Sequence, residues 1–198
     1  MLEERLQKQL DFLVEIDKMK SILRQTLLID RSRRENDAEH SWHIAVMAII
    51  LQEHVAEDAV DIAHVVKMTL IHDLIEVYAG DTFAYDDEAL ANKEQRELEA
   101  ADQIFSMLPQ DQGAQMRTLW DEFEAKETKE SRFANAVDRL QPFMNNHHTD
   151  GHTWRFGTVS TSKVYKRMDV VREVIPAMWP YVEEVIADAV NKGFLIAD

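Results

Sequence analysis

Residues 58–78, Asp-Ala-Val-Asp-Ile-Ala-His-Val-Val-Lys-Met-Thr-Leu-Ile-His-Asp-Leu-Ile-Glu-Val-Tyr, carry two patterns at once. Ala63, Val66, Leu70, Leu74 and Val77 recur at helical spacing and predict one apolar stripe of a helix that Gly80-Asp81 stops. At 100° per residue, Thr69, His72, Asp73 and Glu76 share another arc, whose earlier turns carry Ile62 and Val65. The polar arc read alone is an ordinary solvent face. Its apolar continuation argues for burial, and a buried His-Asp-Glu cluster costs several kcal/mol unless paired or bound to a cation.

Working outward, helical periodicity recurs along the whole chain. It predicts a first helix over 3–22, an irregular Arg- and Asp-rich connection over 23–36, and a helix from an Asp37 N-cap to about Val55. In that helix Trp42, Ala45, Val46, Ile49 and Ile50 form a stripe, while Ile44, Met47 and Leu51 occupy the other side. Most of its circumference is apolar, which predicts a central position. Further helices are expected over 88–108, 114–127 after a break at Pro109 and Gly113, and 129–146 with a Pro142 kink. A loop over 147–157 follows, then a helix over 160–191 bent or broken near Pro176 and Pro180. With 5 Gly and 4 Pro in 198 residues, an all-α fold in a single domain over 1–198 is expected.

Composition narrows the chemistry. No Cys is present, which excludes disulfides and thiolate sites, leaves His and carboxylates as metal ligands, and fits a cytoplasmic protein. The charged amphipathic start lacks a signal-peptide h-region, and the apolar run from Ile44 to Leu51 is too short to span a bilayer. A net charge of −15 opposes duplex nucleic acid and anionic membrane as partners. Lys18, Lys20, Arg24, Arg31, Arg33 and Arg34 crowd into residues 18–34, either to take a small anionic substrate or as a solvated basic face.

The residues alone support a His72-Asp73 nucleus. His40, in Ala-Glu-His-Ser-Trp-His, is a candidate third donor or a satisfied core histidine. Asp138, in Ala-Val-Asp-Arg-Leu, is a candidate fourth that periodicity places on a polar flank beside Asn135. Convergence of the four would make a mixed N/O metal site.

In that order, His40, His72-Asp73 and Asp138 resemble the signature of the HD-domain metal-dependent phosphohydrolases: one His, a His-Asp pair and a distant Asp, on different helices of a bundle. Arg-Arg-Glu-Asn-Asp-Ala-Glu-His-Ser (Arg33 to Ser41), His-Asp-Leu-Ile-Glu-Val-Tyr-Ala-Gly-Asp (His72 to Asp81) and Asp-Arg-Leu-Gln-Pro (Asp138 to Pro142) are similar to the branch containing bacterial 5′-deoxynucleotidases. The resemblance covers roughly residues 20–145, and the C-terminal helices over 160–195 are less distinctive. The Gly-Tyr-Pro of the related cyclic-dinucleotide phosphodiesterases is missing. The Arg-Trp pair of the deoxynucleotidases corresponds here to Arg24-Gln25, which leaves 2′-deoxy selectivity open.

The resemblance implies an HD-type helical bundle around one divalent ion held by His40, His72, Asp73 and Asp138. Two imidazoles and two carboxylates suit Mn²⁺, Co²⁺ or Fe²⁺ better than Mg²⁺. Glu76 is then the proton-handling group or a partner of His72, and Asp81 orients substrate or water, or caps its loop. Arg24, Arg33 and Arg34 would contact a nucleotide phosphate, unless Arg33 or Arg34 pairs with Glu35 or Glu39. His43, His54, His64, His147, His148 and His152 are expected to be structural or surface residues. The activity implied is hydrolysis of nucleoside 5′-monophosphates. A triphosphohydrolase, a broader phosphatase and a non-catalytic metal- or nucleotide-binding regulator are the alternatives. The amphipathic first and last helices leave room for a homodimer.

Overall fold

A hairpin stands where the sequence predicts an irregular connection. The structure, a computed structural model, describes residues 3–56, 59–156 and 158–198. Helix α1 (Glu4–Glu15) runs into a 3₁₀ segment, Ile16–Ser21, and then into strands β1 (Leu23–Leu27) and β2 (Arg34–Asn36), paired antiparallel with an irregular register. The turn between them is set by polar chemistry. Asp30 accepts from the Ser32 amide and hydroxyl, and Arg31 takes a left-handed φ of 63°. Such a short pair carries too few β-branched residues to be read from the sequence.

Helix α2 (Asp37–Leu51) starts one residue earlier than expected. Its N-cap is Asn36, whose side chain accepts from the Glu39 amide while the Glu39 carboxylate accepts from the Asn36 amide. Asp37 is thereby turned inward and fully buried. The buried face of α2 is His40, Ser41, Ile44, Ala45, Met47 and Ala48, so Trp42, Val46, Ile49 and Ile50 face outward. A helix apolar on all sides does not declare which side goes in.

Helix α3 (Ile62–Ile71) is capped by Asp61, which accepts from the Ala63 and His64 amides; the expected start at residue 58 lies outside the described residues. Its buried residues are Val65, Met68, Thr69 and Ile71, whereas Ala63 and Leu70 are exposed. The arc with Val65 and Thr69 is therefore the inner one. The expected single helix also tightens into a 3₁₀ turn at His72–Ile75 and resumes as α4 (Glu76–Ala79), ending at Gly80 with φ 74°. His72 Nδ1 lies 2.9 Å from the Thr69 carbonyl and competes for the acceptor that an α-helix offers to residue 73.

The remaining elements are α5 (Asp87–Leu90), α6 (Lys93–Phe105), α7 (Gln110–Ala125), α8 (Lys129–His148), α9 (His152–Phe156), α10 (Thr161–Val174), a 3₁₀ turn at Pro176–Met178 and α11 (Trp179–Asn191). The helix expected over 88–108 is thus two. Gly113 lies inside α7 and does not break it. A Cβ there would stand 2.4 Å from the Phe105 carbonyl oxygen, so glycine permits α6 and α7 to approach. Much of the loop expected over 147–157 is helical, and Gly157 lies outside the described residues. The C-terminal break falls at the prolines, as expected.

Helix α8 is packed by α2, α3, α7 and α10. One apolar cluster gathers α2, α3, α8, α10 and α11 around Ile44, Met68, Phe133, Leu140, Met168 and Ile186. A second joins α1, α6 and the His72–Ile75 turn through Phe12, Ile75, Ala101 and Ile104. The His-Asp turn lies where the two clusters meet. Among the described residues no helix is long and apolar enough to cross a membrane.

Candidate metal centre

Three elements bring His40, His72, Asp73 and Asp138 together. His40 comes from the first turn of α2, the His-Asp pair from the 3₁₀ turn, and Asp138 from the middle of α8. His40 Nε2 is 3.0 Å from Asp138 Oδ1 and 3.9 Å from Asp73 Oδ2; His72 Nε2 is 3.0 Å from Asp73 Oδ1 and 3.6 Å from Asp138 Oδ1. One ligand atom each from His40, His72 and Asp73 falls within a 4.8 Å set. Phe123 closes the far side of His72, with ring centroids 4.7 Å apart.

Both imidazoles are held so that Nε2 faces the carboxylates. Gln141 Nε2 donates to Glu35 Oε1 at 2.7 Å, which leaves Gln141 Oε1 to accept from His40 Nδ1 at 3.0 Å. His72 Nδ1 faces the Thr69 carbonyl and can only donate to it. The neutral rings therefore aim nitrogen lone pairs at carboxylate oxygens, which is repulsive unless a proton or cation lies between. His72 Nε2 is buried and makes no hydrogen bond among the described residues. Burial alone would lower the His72 pKa, but the Asp73 and Asp138 charges raise it to about 10. Asp138 is correspondingly held well below the carboxylate range; burial opposes this, and the two histidines outweigh it. A pocket that keeps an extra proton on a buried imidazole favours a cation, and this donor set fits one divalent metal ion.

A second acidic group overlaps the first. Asp37, Asp73 and Glu76 offer oxygens within 4.8 Å of one another. Arg24, from β1, reaches Asp73 Oδ2 at 2.8 Å and Asp37 Oδ1 at 3.4 Å, and neutralises part of that charge. Asp73 stays ionised well below its ordinary range despite burial, held by His72 and Arg24. Burial and then the Asp73 charge push Asp37 up to about 7 and Glu76 well above its usual value. Asp81 is raised too, mainly by burial. Glu76 and Asp81 line a cavity of about 270 Å³ that opens onto His72, Asp73 and Asp138.

Arg24 is at the site and Arg33 is not; Arg34 lies close enough for its charge to act on Asp81 but makes no contact with the cluster. Arg33 is paired with Glu39 at 2.5 Å on the surface, the alternative raised by its sequence context. Arg34 donates to the backbone carbonyls of Leu23 and Arg24, tying β2 to β1. Sequence reasoning missed Asp37, Glu35 and Gln141. Gln141 stands three residues beyond Asp138 on the same face of α8, a spacing that could have flagged it. Glu35 is buried and accepts from Gln141, Thr26 at 3.3 Å and Asn145 at 3.4 Å, yet nothing in its sequence surroundings marks it as internal. The histidines read as structural or surface residues are engaged elsewhere in part: His43 faces Gln141, His64 faces Glu122, and His147 faces Tyr181.

Comparison with known proteins decides the family. A family model described as HD domain matches residues 16–179. The chain belongs to the HD-domain family. This agrees with the resemblance to that superfamily of metal-dependent phosphohydrolases carried by the four residues. The crystal structure of a "predicted metal-dependent phosphohydrolase" from Magnetospirillum magnetotacticum MS-1 is 50% identical with a TM-score of 0.91, over 98% of this chain and 96% of that one. The 5′-deoxynucleotidase HDDC2 of Homo sapiens is 30% identical over 112 residues, 57% of this chain and 53% of that protein. Its counterpart in Dictyostelium discoideum is 29% identical over 114 residues, 56% and 60% of the two chains. The chain thus spans about half the length of the curated relatives it matches. An HD-domain phosphohydrolase of Listeria innocua, at 16% identity and a TM-score of 0.59, shares the fold.

Proposed function

We propose that the protein is a metal-dependent 5′-nucleotidase that hydrolyses (deoxy)nucleoside 5′-monophosphates to nucleoside and phosphate. The observation that carries the reading is the pair of imidazoles whose Nε2 atoms are turned onto Asp73 and Asp138 by Gln141 and Thr69. His40, His72, Asp73 and Asp138 would hold one Mn²⁺, Co²⁺ or Fe²⁺, in preference to Mg²⁺ because two donors are nitrogen. When bound, the ion supplies Lewis acidity, which stabilises developing charge on phosphoryl oxygens and acidifies water. The names of the curated relatives support a monophosphate substrate.

The chain's own residues divide the remaining work. Arg24 fixes the Asp73 carboxylate and offsets the crowded acids beside it. Glu76, buried with Oε2 unpartnered and its pKa raised, holds or accepts a proton at that oxygen. Asp37 shares its charge and completes a local proton store. Asp81, on the cavity wall, orients the substrate or a water. The reading also places the enzyme in the cytoplasm and as a homodimer, the latter supported by exposed Trp42 and Ile50 on α2.

Metal-reconstituted protein assayed against a nucleotide panel tests this. Phosphate and nucleoside from monophosphates are expected. Tripolyphosphate from triphosphates, or no release with metal bound, would overturn the reading. Glu76→Gln should keep the metal and lower kcat by at least about 100-fold, in the range of a removed general acid–base group. An unchanged kcat in that variant would remove Glu76 from the mechanism.

A further inference from the structure

Five basic residues line the cavity beside the metal cluster: Arg24, Lys93, Lys126, Arg139 and Arg167. Three are committed to carboxylates. Arg24 pairs with Asp73 at 2.8 Å, Lys93 with Glu97 at 2.5 Å and Lys126 with Glu124 at 3.8 Å. Arg139 and Arg167 are different. Arg139, on α8 beside Asp138, donates to the backbone carbonyl of Arg167 on α10 at 3.2 Å, and among the described residues neither guanidinium has an ion-pair partner. Both are half-buried. Both also line a smaller adjoining cavity of about 70 Å³, shared with Arg24 and Asp81, so they stand at the junction of the two spaces.

Two guanidiniums without an ion-pair partner on one partly desolvated wall repel one another and favour an anion between them. The rest of the site has little positive charge to spare. A divalent ion is offset by Asp73 and Asp138, and Arg24 is surrounded by Asp73, Asp37 and Glu76. A dianionic phosphomonoester entering this acidic cavity therefore needs a further cationic contact, and a guanidinium fork matches phosphoryl oxygens two at a time.

The geometry points to Arg139 and Arg167 as an anion clamp that takes the phosphoryl group of the substrate, a role the family resemblance implies for Arg24, Arg33 and Arg34. This rests on the phosphomonoester reading above. Arg139 and Arg167 select substrates with a terminal dianionic phosphoryl group over uncharged or singly charged esters.

The test uses inorganic phosphate as the probe, with metal-loaded full-length protein and calorimetric titration alongside steady-state kinetics. Arg167→Gln, at a half-buried position, should keep the wild-type metal content and melting temperature. It should weaken phosphate binding and raise KM roughly ten-fold or more, the loss expected for a charge-assisted hydrogen bond, with a smaller change in kcat. Arg167→Lys should recover part of that loss, and Arg33→Gln should bind phosphate as wild type does. If Arg139→Gln fails to fold, the Arg167 pair still decides the matter. Wild-type protein that does not bind phosphate, or Arg167→Gln with unchanged phosphate affinity and KM, would overturn the clamp. Weakened phosphate binding in the variants of a protein that hydrolyses no monophosphate would support the clamp and refute the nucleotidase reading.

Discussion

Gln141 shows how a residue that touches no substrate can set the properties of the centre. Its amide is oriented by the buried Glu35 carboxylate, and that orientation leaves only the carbonyl end for His40 Nδ1. Its Nε2 also faces His43 Nδ1 at 3.2 Å, so the amide is held from two sides. Replacing it with alanine removes the acceptor that fixes the His40 tautomer and strands Glu35 without its shortest partner. Gln141→Ala is expected to weaken divalent-metal affinity by about 10–100-fold, the usual range for losing the outer partner of a metal-binding histidine. Competition titration against a chromogenic chelator measures this, and wild-type affinity would show that Gln141 only fills space. At this scale the sequence was legible where residue type alone speaks. His40, His72, Asp73 and Asp138 converge as their types and order suggest, and the spacing of Gln141 from Asp138 hints at its place, whereas Glu35 acquires meaning only from a contact across 106 residues.

Elements supply the precision that residues lack. The Asn36 capping box fixes the first turn of α2 and hence the place of His40, and the 3₁₀ turn after α3 presents His72 and Asp73 to α8. Both depend on helix ends, which periodicity locates poorly; the inward face of α2 was illegible because its outer face is equally apolar. A polar tie joins α3, α7 and α8 farther along. Glu122 on α7 faces His64 Nε2 at 2.7 Å and accepts from Thr128, the N-cap of α8, at 2.6 Å. Burial raises the Glu122 pKa, but Thr128 and His64 outweigh it and the net shift is downward. A carboxylate whose pKa is lowered by folding stabilises the fold above its unfolded value of about 4.3, and that contribution fades as pH falls through the folded value. Glu122→Gln should therefore cost a few tenths to about 1 kcal/mol at pH 7, allowing for solvent screening, and progressively less as the wild-type carboxyl is protonated. Denaturant melts of both proteins over that range measure the difference, and a gap that widens towards acid would contradict the assignment.

Across the whole molecule, the same apolar excess that obscured α2 leaves a surface in need of explanation. Trp42 and Ile50 are each 64% exposed, and Val46, Ile49 and, on the neighbouring α3, Leu70 are exposed with them. Isolated exposed apolar residues are ordinary, but several large ones on two packed helices are where the proposed homodimer would bury apolar area. The expectation from the first and last helices shifts accordingly: α1 does expose Leu6, Leu10, Leu13 and Val14, whereas α11 leaves no large hydrophobic residue exposed. A chain of net charge −15 repels its own copies at long range, so self-association here must come from local apolar burial and strengthen as salt screens that repulsion. The expected outcome is a homodimer at micromolar concentration that Trp42→Glu or Ile50→Glu converts to monomer, with helical content and metal affinity retained because both side chains are exposed whereas His40 is fully buried. Light scattering after size exclusion, at low and high salt, reads the mass directly. A wild-type monomer under both conditions would defeat the prediction, and so would a dimer indifferent to both substitutions.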